Sequence, residues 1–187
     1  MLKNIKQSLI LSGMTIILFG IIYPLFIFAA GQLMPEKSEG SPVISEGRVV
    51  GFENIGQSFT EDKYFNGRPS AVGYNAASTG GSNKGNSNPE YLEEVRARID
   101  TFLTHNPGVN KKDIPSELVT ASGSGIDPNI TTDAALIQIS RIAKVRNLSE
   151  VRLEELIREY TEGKYLGLLG IEKVNLLKLN IALDKIN

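Results

Sequence analysis

Two serines in a glycine-rich run are the residues of this sequence best suited to nucleophilic chemistry. The run reads Ser122-Gly123-Ser124-Gly125. A serine nucleophile needs G-x-S-x-G spacing on a strand-to-helix turn, with a histidine base within reach. Glycines flank Ser124 directly, and the single histidine, His105, lies where a helix is expected to end. The spacing therefore favours a turn over an anchored hydrolase, while a Ser-Lys dyad stays open as an alternative.

A second glycine-rich run invites a phosphate-binding interpretation. Gly80-Gly81-Ser82-Asn83-Lys84 lacks the G-x-x-x-x-G-K-[ST] spacing of a phosphate loop. The sequence has no cysteine and one histidine, which leaves little for a metal site. We therefore expect no metal site and no tightly bound cofactor. With 20 basic and 21 acidic residues, the chain also lacks the positive charge of most nucleic-acid-binding proteins.

Arginines are the remaining candidates for binding, because a guanidinium can hold a carboxylate or phosphate through two parallel hydrogen bonds. The sequence favours an exposed helix or loop position for each of them. In particular, Arg141 and Arg146 are predicted to point largely outward from their helix. The five candidates are Arg68, Arg96, Arg98, Arg141 and Arg146.

The segment ahead of these residues predicts a membrane anchor. No residue from Gln7 to Pro35 is charged, and about 20 apolar residues are enough to cross a bilayer as a helix. The sequence therefore predicts a transmembrane helix over residues 7–34, with a cleaved signal peptide as the alternative. Lys3 and Lys6 precede the helix and acidic residues follow it. The positive-inside rule then places residues 1–6 in the cytoplasm and the remainder outside.

Two glycines mark one face of the predicted anchor. Gly13 and Gly20 are spaced by two helical turns, and small residues let another membrane helix approach closely. We expect this face to pack against a partner helix. Pro24 is expected to kink the helix, which membrane spans tolerate.

The rest of the chain predicts an α+β outer domain over residues 48–187, joined to the anchor by a linker over residues 35–47. Strands are predicted at 48–52 and 117–120, and one is considered within 56–63. Three helices are predicted, starting at the caps Asn88, Thr131 or Thr132, and Ser149. The second of these helices is expected to run through Gln138 and beyond. The stretch from Leu166 through Asn180 reads as strand-like at its start.

Residues 66–88 form a long polar stretch between the predicted strands and the first helix of this domain. It contains almost no core-forming side chains, and loops of this length are usually functional or disordered. We expect this loop to be a docking surface for a partner protein. The predicted docking residues are Arg68, Pro69, Ser70, Asn75, Gly80, Gly81 and Asn83.

Several motifs occur in one order behind the single anchor. They are Phe65 to Ala71 with Tyr74-Asn75 and Gly80 to Asn83, Leu118 to Ser122 with Ser124 to Asp127, Gln138 to Ala143 with Arg146 to Ser149, and Val174-Asn175 with Leu179 to Asp184. Together they resemble the C subunit of the Kdp-type potassium-transporting ATPase, from the anchor almost to Asn187.

This resemblance implies a non-catalytic subunit of a complex in the cell (inner) membrane of a bacterium or archaeon. Its implied partners are a channel-like A subunit that binds potassium and a P-type ATPase B subunit that hydrolyses ATP. We expect the 66–88 loop to dock on the potassium-binding subunit. A very small fourth subunit is a further implied partner. ATP and potassium would be handled by the complex.

The resemblance also implies a role as a catalytic chaperone that raises the ATP affinity of the ATPase subunit, with Gln138 as the matching residue. An outer domain cannot touch cytoplasmic ATP, so such an effect would have to pass through the membrane subunits. A hydrogen bond from Gln138 to a neighbouring loop is the structural alternative. For the whole chain, the alternative function is an anchored outer sensor or binding module.

Overall fold

The computed structural model describes residues 2–34, 40–164 and 166–186, which divide into two compact units, Met1–Pro42 and Val43–Asn187. The first unit contains helix α1, Leu2–Gly31, which is long and apolar enough to cross a membrane. This confirms the predicted single long apolar helix, although the helix begins before residue 7 and ends before residue 34.

Helix α1 is irregular where the sequence predicts a kink. Residues Leu18–Ile22 form a π-helical turn, closed by the Tyr23 amide donating to the Leu18 carbonyl. This turn lies directly ahead of Pro24, which has no amide hydrogen to donate and whose ring disturbs the preceding turn. The irregularity therefore lies beside the proline, as a widened turn.

The first strands of the chain are β1, Pro42–Ser45, and β2, Arg48–Phe52, which form a two-stranded hairpin. All of this hairpin except Pro42 belongs to the second unit. Strand β2 matches its prediction. Strand β1 lies within the predicted linker 35–47, so the second half of that linker is part of the domain; residues 35–39 lie outside the described residues. Glu46 and Gly47 both have positive φ, which suits a tight two-residue turn and explains why a Gly/Ser-rich stretch forms a hairpin.

Helix α2, Pro89–His105, begins as predicted. The Asn88 side chain accepts a hydrogen bond from the Tyr91 amide, and Pro89 occupies the first turn, where its missing amide hydrogen costs nothing. Two short 3₁₀ turns follow α2, the first at Lys111–Asp113. The predicted strand at 117–120 is wrong. Ser116–Leu118 is instead the second of these 3₁₀ turns, and its Glu117 side chain accepts a hydrogen bond from the Thr131 amide.

A small antiparallel sheet joins distant parts of the domain. Its strands are β3, Asn129–Thr131, β4, Thr161–Glu162, and β5, Lys173–Asn175, in the spatial order β3-β5-β4. Ile130 pairs with Val174, and both side chains are buried. No strand is present at 56–63, so this sheet and the hairpin are the sheets of the described residues.

Four helices complete the domain: α3, Thr132–Leu136, α4, Ile139–Arg146, α5, Glu150–Tyr160, and α6, Leu176–Asp184. The predicted caps Thr131 and Ser149 each accept a backbone hydrogen bond. The predicted single helix through Gln138 is wrong, because the chain breaks between α3 and α4. Sequence reasoning also missed α6, which Asn175 caps through the Lys178 amide.

The core lies where α5 contacts α3, α4, α6 and the sheet. Among its fully buried side chains are Phe65, Ile142, Leu153, Leu179 and Leu183. The other four of these residues lie in helices, whereas Phe65 belongs to no helix or strand. The fold of the described residues is thus α+β with one apolar amino-terminal helix, as the sequence predicts.

Candidate docking surface

The segment 62–66, called here the clamped segment, has no regular structure, yet side chains from two helices satisfy its backbone. Gln138 is fully buried at the junction of α3 and α4. Its Oε1 accepts a hydrogen bond from the Asn66 amide at 2.8 Å, and its Nε2 donates to the Asn66 carbonyl at 3.1 Å. The Gln138 amide therefore binds the backbone of Asn66 as a neighbouring strand would.

Asn180 of helix α6 does the same for the preceding residue. Its Oδ1 accepts a hydrogen bond from the Phe65 amide at 2.9 Å, and its Nδ2 donates to the Phe65 carbonyl at 3.0 Å. Both side chains are buried, where an unpaired backbone group is costly. Two amide side chains thus replace a β-ladder and seat the Phe65 ring in the core.

Two arginines of α4 hold the rest of the clamped segment. Arg141 donates to the carbonyls of Asp62 and Tyr64 and, at 2.7 Å, to Gln138 Oε1. Arg146 donates to the Lys63 carbonyl at 2.7 Å and to Asp184 at 2.5 Å. We refer below to Gln138, Arg141, Arg146 and Asn180 as the clamp residues.

The clamp corrects the prediction that both arginines point outward. The side chains of Arg141 and Arg146 are only 3% and 8% exposed. Burial lowers the pKa of the Arg141 guanidinium, and the nearby Asp62 carboxylate opposes that shift. Together the two arginines donate to three backbone carbonyls of the clamped segment. Their other hydrogen bonds go to side chains of the same domain, from Arg141 to Asn106 and Gln138 and from Arg146 to Asp184.

The polar loop, residues 66–88, continues from the clamped segment onto a second loop, residues 121–128. Arg68 forms a 3.0 Å ion pair with Asp127. The Ser122 amide donates to the Pro69 carbonyl, and the Gly80 amide donates to the Ser124 carbonyl. The two glycine- and serine-rich runs of the sequence are therefore brought together as mutual supports.

Ser70 organises the first half of the polar loop. Its hydroxyl donates to the Gly125 carbonyl at 2.6 Å and accepts from the amides of Val72 and Tyr74. The Tyr74 hydroxyl donates back to the Arg68 carbonyl, and burial raises the pKa of that hydroxyl, with a further contribution from Asp127. This part of the polar loop is consequently ordered by contacts within the chain.

Close approach of the two loops requires a glycine at position 125. Gly125 has a φ of +72°, and a Cβ there would lie 2.7 Å from the Gly80 carbonyl oxygen. Any larger residue would meet both backbone strain and a clash. At Gly81 the space is less restricted, since a Cβ would lie 3.2 Å from the Gly123 carbonyl oxygen.

The outer part of the polar loop faces solvent. Asn75 is exposed, and its side chain accepts a hydrogen bond from the nearby Ala77 amide. Asn83 is also exposed and has a φ of +53°, a left-handed conformation that asparagine tolerates. Lys84 fixes the end of this part to α2 through a 2.5 Å ion pair with Glu94, which raises the pKa of Lys84.

The predicted docking residues thus fall into two groups. Arg68, Pro69, Ser70, Gly80 and Gly81 are partly buried and support the loop from within, whereas Asn75 and Asn83 are exposed on it. Sequence reasoning missed Asp127 and Asn180, which hold this surface in place. A long-range partner such as Asn180 leaves no local pattern, because it lies 115 residues from Phe65.

The serines and the histidine that were considered for catalysis all make hydrogen bonds within the domain. Ser122 Oγ accepts a hydrogen bond from the Gly125 amide, and Ser124 Oγ accepts one from the Ile126 amide. His105 Nδ1 lies 2.7 Å from an Asp62 carboxylate oxygen. Within residues 2–34, 40–164 and 166–186, no group of three or more His, Asp or Glu side chains is placed to hold a metal ion.

The face of α1 that carries Gly13 and Gly20 has room for a partner. A Cβ at Gly13 would meet nothing within 4 Å, and one at Gly20 would meet only Ile16, at 3.9 Å. These glycines are therefore not required by contacts within the described chain. Packing against another helix stays a prediction.

Comparison with known proteins gives a consistent result over the whole chain. The family model described as K+-transporting ATPase, c chain, matches residues 5–185. Proteins named potassium-transporting ATPase KdpC subunit are 48% identical in Flavobacterium psychrophilum and 46% identical in Bacteroides thetaiotaomicron. These alignments cover 99% and 98% of this chain and 100% and 99% of the relatives. A third relative of that name, from Methylococcus capsulatus, is 43% identical over 98% of both chains.

Proposed function

This chain belongs to the family of KdpC subunits of K+-transporting ATPases, and from that premise we propose that it is a membrane-anchored accessory subunit without catalytic activity of its own. Membership makes it a component of a potassium transport complex. In the proposal, ATP hydrolysis belongs to a P-type ATPase subunit and potassium binding to a channel-like subunit. A very small fourth subunit completes the complex.

The lack of a catalytic constellation in the described residues supports an accessory role. The two serines of the 121–128 loop bind backbone amides of their own loop, and no histidine or lysine within the described part of the chain hydrogen-bonds to either hydroxyl. A nucleophile without a base is inactive toward esters and amides. The same loop supports the polar loop, which is a structural task.

We place the α+β domain outside the cytoplasmic membrane. Lys3 and Lys6 precede the apolar run of α1, whereas Glu36, Lys37 and Glu39 follow it. Positive residues are retained on the cytoplasmic side, which puts the amino terminus inside. A reporter that works only in the cytoplasm, fused after Asn187, should therefore be silent; an active reporter would reverse this assignment.

We propose that the exposed part of the polar loop docks on the potassium-binding subunit. The observation that carries this is a polar, solvent-facing surface held on a fixed base by the Arg68–Asp127 ion pair, Ser70 and the 121–128 loop. A loop that is ordered before binding loses less conformational entropy on docking. Asn75 and Asn83 offer directional hydrogen bonds at that surface.

An effect on ATP affinity would be indirect. All four hydrogen bonds of the Gln138 side chain are made within the chain, to Asn66, Ala134 and Arg141. We propose that Gln138 acts by positioning the clamped segment and the polar loop behind it, and that the partner subunits transmit the effect to the nucleotide site.

Co-purification from native membranes tests the docking proposal. A tagged full chain should bring down a P-type ATPase and a potassium-binding subunit in mild detergent. Asn75→Ala should reduce their yield, whereas Asn110→Ala should not. The matched control Asn110 is also exposed and also makes one local side-chain hydrogen bond, to Asp113. Equal yields from the two variants would refute docking through Asn75.

A further inference from the structure

The domain exposes an unusually apolar loop between β4 and β5. Residues 166–171, called here the apolar loop, read Leu-Gly-Leu-Leu-Gly-Ile and carry no charge and no side-chain hydrogen-bonding group. Leu166, Leu168, Leu169 and Ile171 are 77%, 85%, 62% and 66% exposed. Contiguous exposed aliphatic side chains usually mark a surface that contacts another protein or a membrane.

The backbone presents these side chains at a turn. The Gly167 amide donates to the Lys164 carbonyl at 3.0 Å, and Leu166, Gly167 and Gly170 all have positive φ. Below the turn, Lys173 of β5 pairs with Glu162 of β4 at 3.3 Å. The apolar loop therefore ends at a charged boundary formed by the strands on which it is mounted.

The chain itself brings a bilayer within reach of this loop. Helix α1 is long and apolar enough to cross a membrane and ends at Gly31, while the second unit begins at Val43. An extended chain of that length spans at most about 40 Å. A domain of this size has a radius of gyration of about 15 Å, so any of its faces can reach the membrane surface. Within the described residues, α1 is the one helix that is long and apolar enough to cross a membrane.

The residue types favour lipid over a protein pocket. Protein interfaces draw most of their binding energy from Trp, Tyr and Arg, and leucine is under-represented among their key residues. The apolar loop contains none of the former and three leucines. Hydrocarbon requires only apolar contact, and lysines at the boundary, such as Lys164, can extend their ammonium groups to the headgroups.

We propose that the apolar loop inserts its aliphatic side chains into the outer surface of the lipid bilayer and gives the domain a second, peripheral membrane contact. Insertion would be shallow, because backbone amides and carbonyls of an irregular loop cannot enter hydrocarbon unpaired. The contact would restrict the orientation of the domain above the membrane. It rests on the anchor and not on the proposed docking through Asn75 and Asn83, so the two can fail separately.

The absence of cysteine allows a direct test. The full chain carrying Leu168→Cys is labelled with the environment-sensitive fluorophore NBD and placed in phosphatidylcholine–phosphatidylglycerol nanodiscs. We expect a blue-shifted emission that brominated lipid quenches and aqueous iodide does not. The matched control is Ser87→Cys, an exposed position of the polar loop, where iodide should quench and brominated lipid should not.

A second variant separates loop insertion from attraction of the dye itself. Leu169→Asp, added to the labelled Leu168→Cys chain, should restore quenching by iodide and abolish quenching by brominated lipid. Neither position is buried, so the fold should survive both changes. Unchanged lipid quenching in the double variant would overturn the proposal.

The remaining outcomes also decide the question. Iodide quenching at position 168 equal to that at position 87 would mean that the loop stays in water, and the proposal fails. Protection from iodide without quenching by brominated lipid would mean that protein covers the loop, and the proposal would again fail. Protection that appears only when the other pump subunits are present would assign the loop to a subunit interface, which also overturns insertion into lipid.

Discussion

The polar loop and the apolar loop both lack regular structure, and in each the burial of the side chains is the opposite of what the composition predicts. The polar loop contains almost no core-forming residues, yet its first half is partly buried and held by Ser70 and the Arg68–Asp127 pair. The apolar loop contains four large aliphatic residues, and all four are exposed. Composition indicates what a loop can contact. The partners placed by the rest of the fold decide what it does contact.

The difference has a physical origin. A polar loop gains by docking on its own domain only if its backbone groups find partners, and here the 121–128 loop and the clamp residues supply them. An aliphatic loop gains by burial of any kind, but the four aliphatic side chains of the apolar loop remain exposed. Polar contacts with the 121–128 loop and the clamp residues therefore order the first loop, whereas the aliphatic side chains of the second are left exposed.

The largest effect is expected from removing the most deeply buried arginine of the clamp, Arg141, whose side chain is 3% exposed. Arg141→Met leaves the carbonyls of Asp62 and Tyr64 without their buried donors. We expect the free energy of unfolding to fall by about 3 kcal/mol, because each unpaired buried group costs about 1–3 kcal/mol. Urea unfolding of the full chain in micelles, followed by circular dichroism, measures this change.

Arg152→Met is the matched control for that substitution. Arg152 is half exposed, and its only ion pair within the described residues is an i,i+3 contact with Glu155 at 3.1 Å. Exposed pairs of this kind contribute about 0.5 kcal/mol or less. Equal losses from the two substitutions would show that the clamped segment does not depend on buried hydrogen bonds.

Sequence reasoning anticipated the parts of this architecture that are encoded locally. The caps Asn88, Thr131 and Ser149, the strand at 48–52 and the apolar helix follow from short patterns, and the structure has all of them. The strand predicted at 117–120 failed because apolar and β-branched residues there favour a strand only when a neighbouring strand is available. Ser116–Leu118 forms a 3₁₀ turn instead.

The clamp could not be predicted in the same way. Gln138 and Asn66 are 72 residues apart, and the pairing depends on how α3 and α4 break at Gln138. Polar residues on a helix are usually exposed, so the sequence favoured an outward position for Arg141. Helix α6, which sequence reasoning also missed, did have a local signal. Its cap, Asn175, is an asparagine directly ahead of an apolar run.

The next effect concerns the two amide side chains of the clamp. Gln138→Leu and Asn180→Leu each leave one amide and one carbonyl of the clamped segment unpaired. We expect each to lower the free energy of unfolding by about 2 kcal/mol. If Gln138 acts on the pump by positioning the loop, both variants should raise the KM for ATP of the reconstituted complex. A rise confined to Gln138→Leu would favour a role specific to that side chain.

A smaller effect is expected at the ion pair below the polar loop. The Arg68 and Asp127 side chains are 25% and 26% exposed, so solvent screens their attraction. Arg68→Ala should cost about 1 kcal/mol of unfolding free energy, rather than leaving the stability unchanged as expected for a freely exposed arginine. In a double-mutant cycle with Asp127→Ala, the two losses should not add. Full additivity would mean that the pair does not fix the loop.

The smallest stability effect is expected at the exposed end of the polar loop, and there the comparison between the loops becomes a functional one. Asn83→Ala replaces an exposed asparagine at a φ of +53°, and Asn147→Ala does the same at +55° where α4 ends. Both should cost about 0.5–1 kcal/mol, because alanine tolerates left-handed backbone less well than asparagine. The backbone penalty is therefore matched, and only the position differs. If the polar loop docks on the potassium-binding subunit, only Asn83→Ala of the two should reduce co-purification of that subunit. Equal yields from the two variants would mean that the ordered polar surface serves the domain itself, and docking would have to be sought elsewhere.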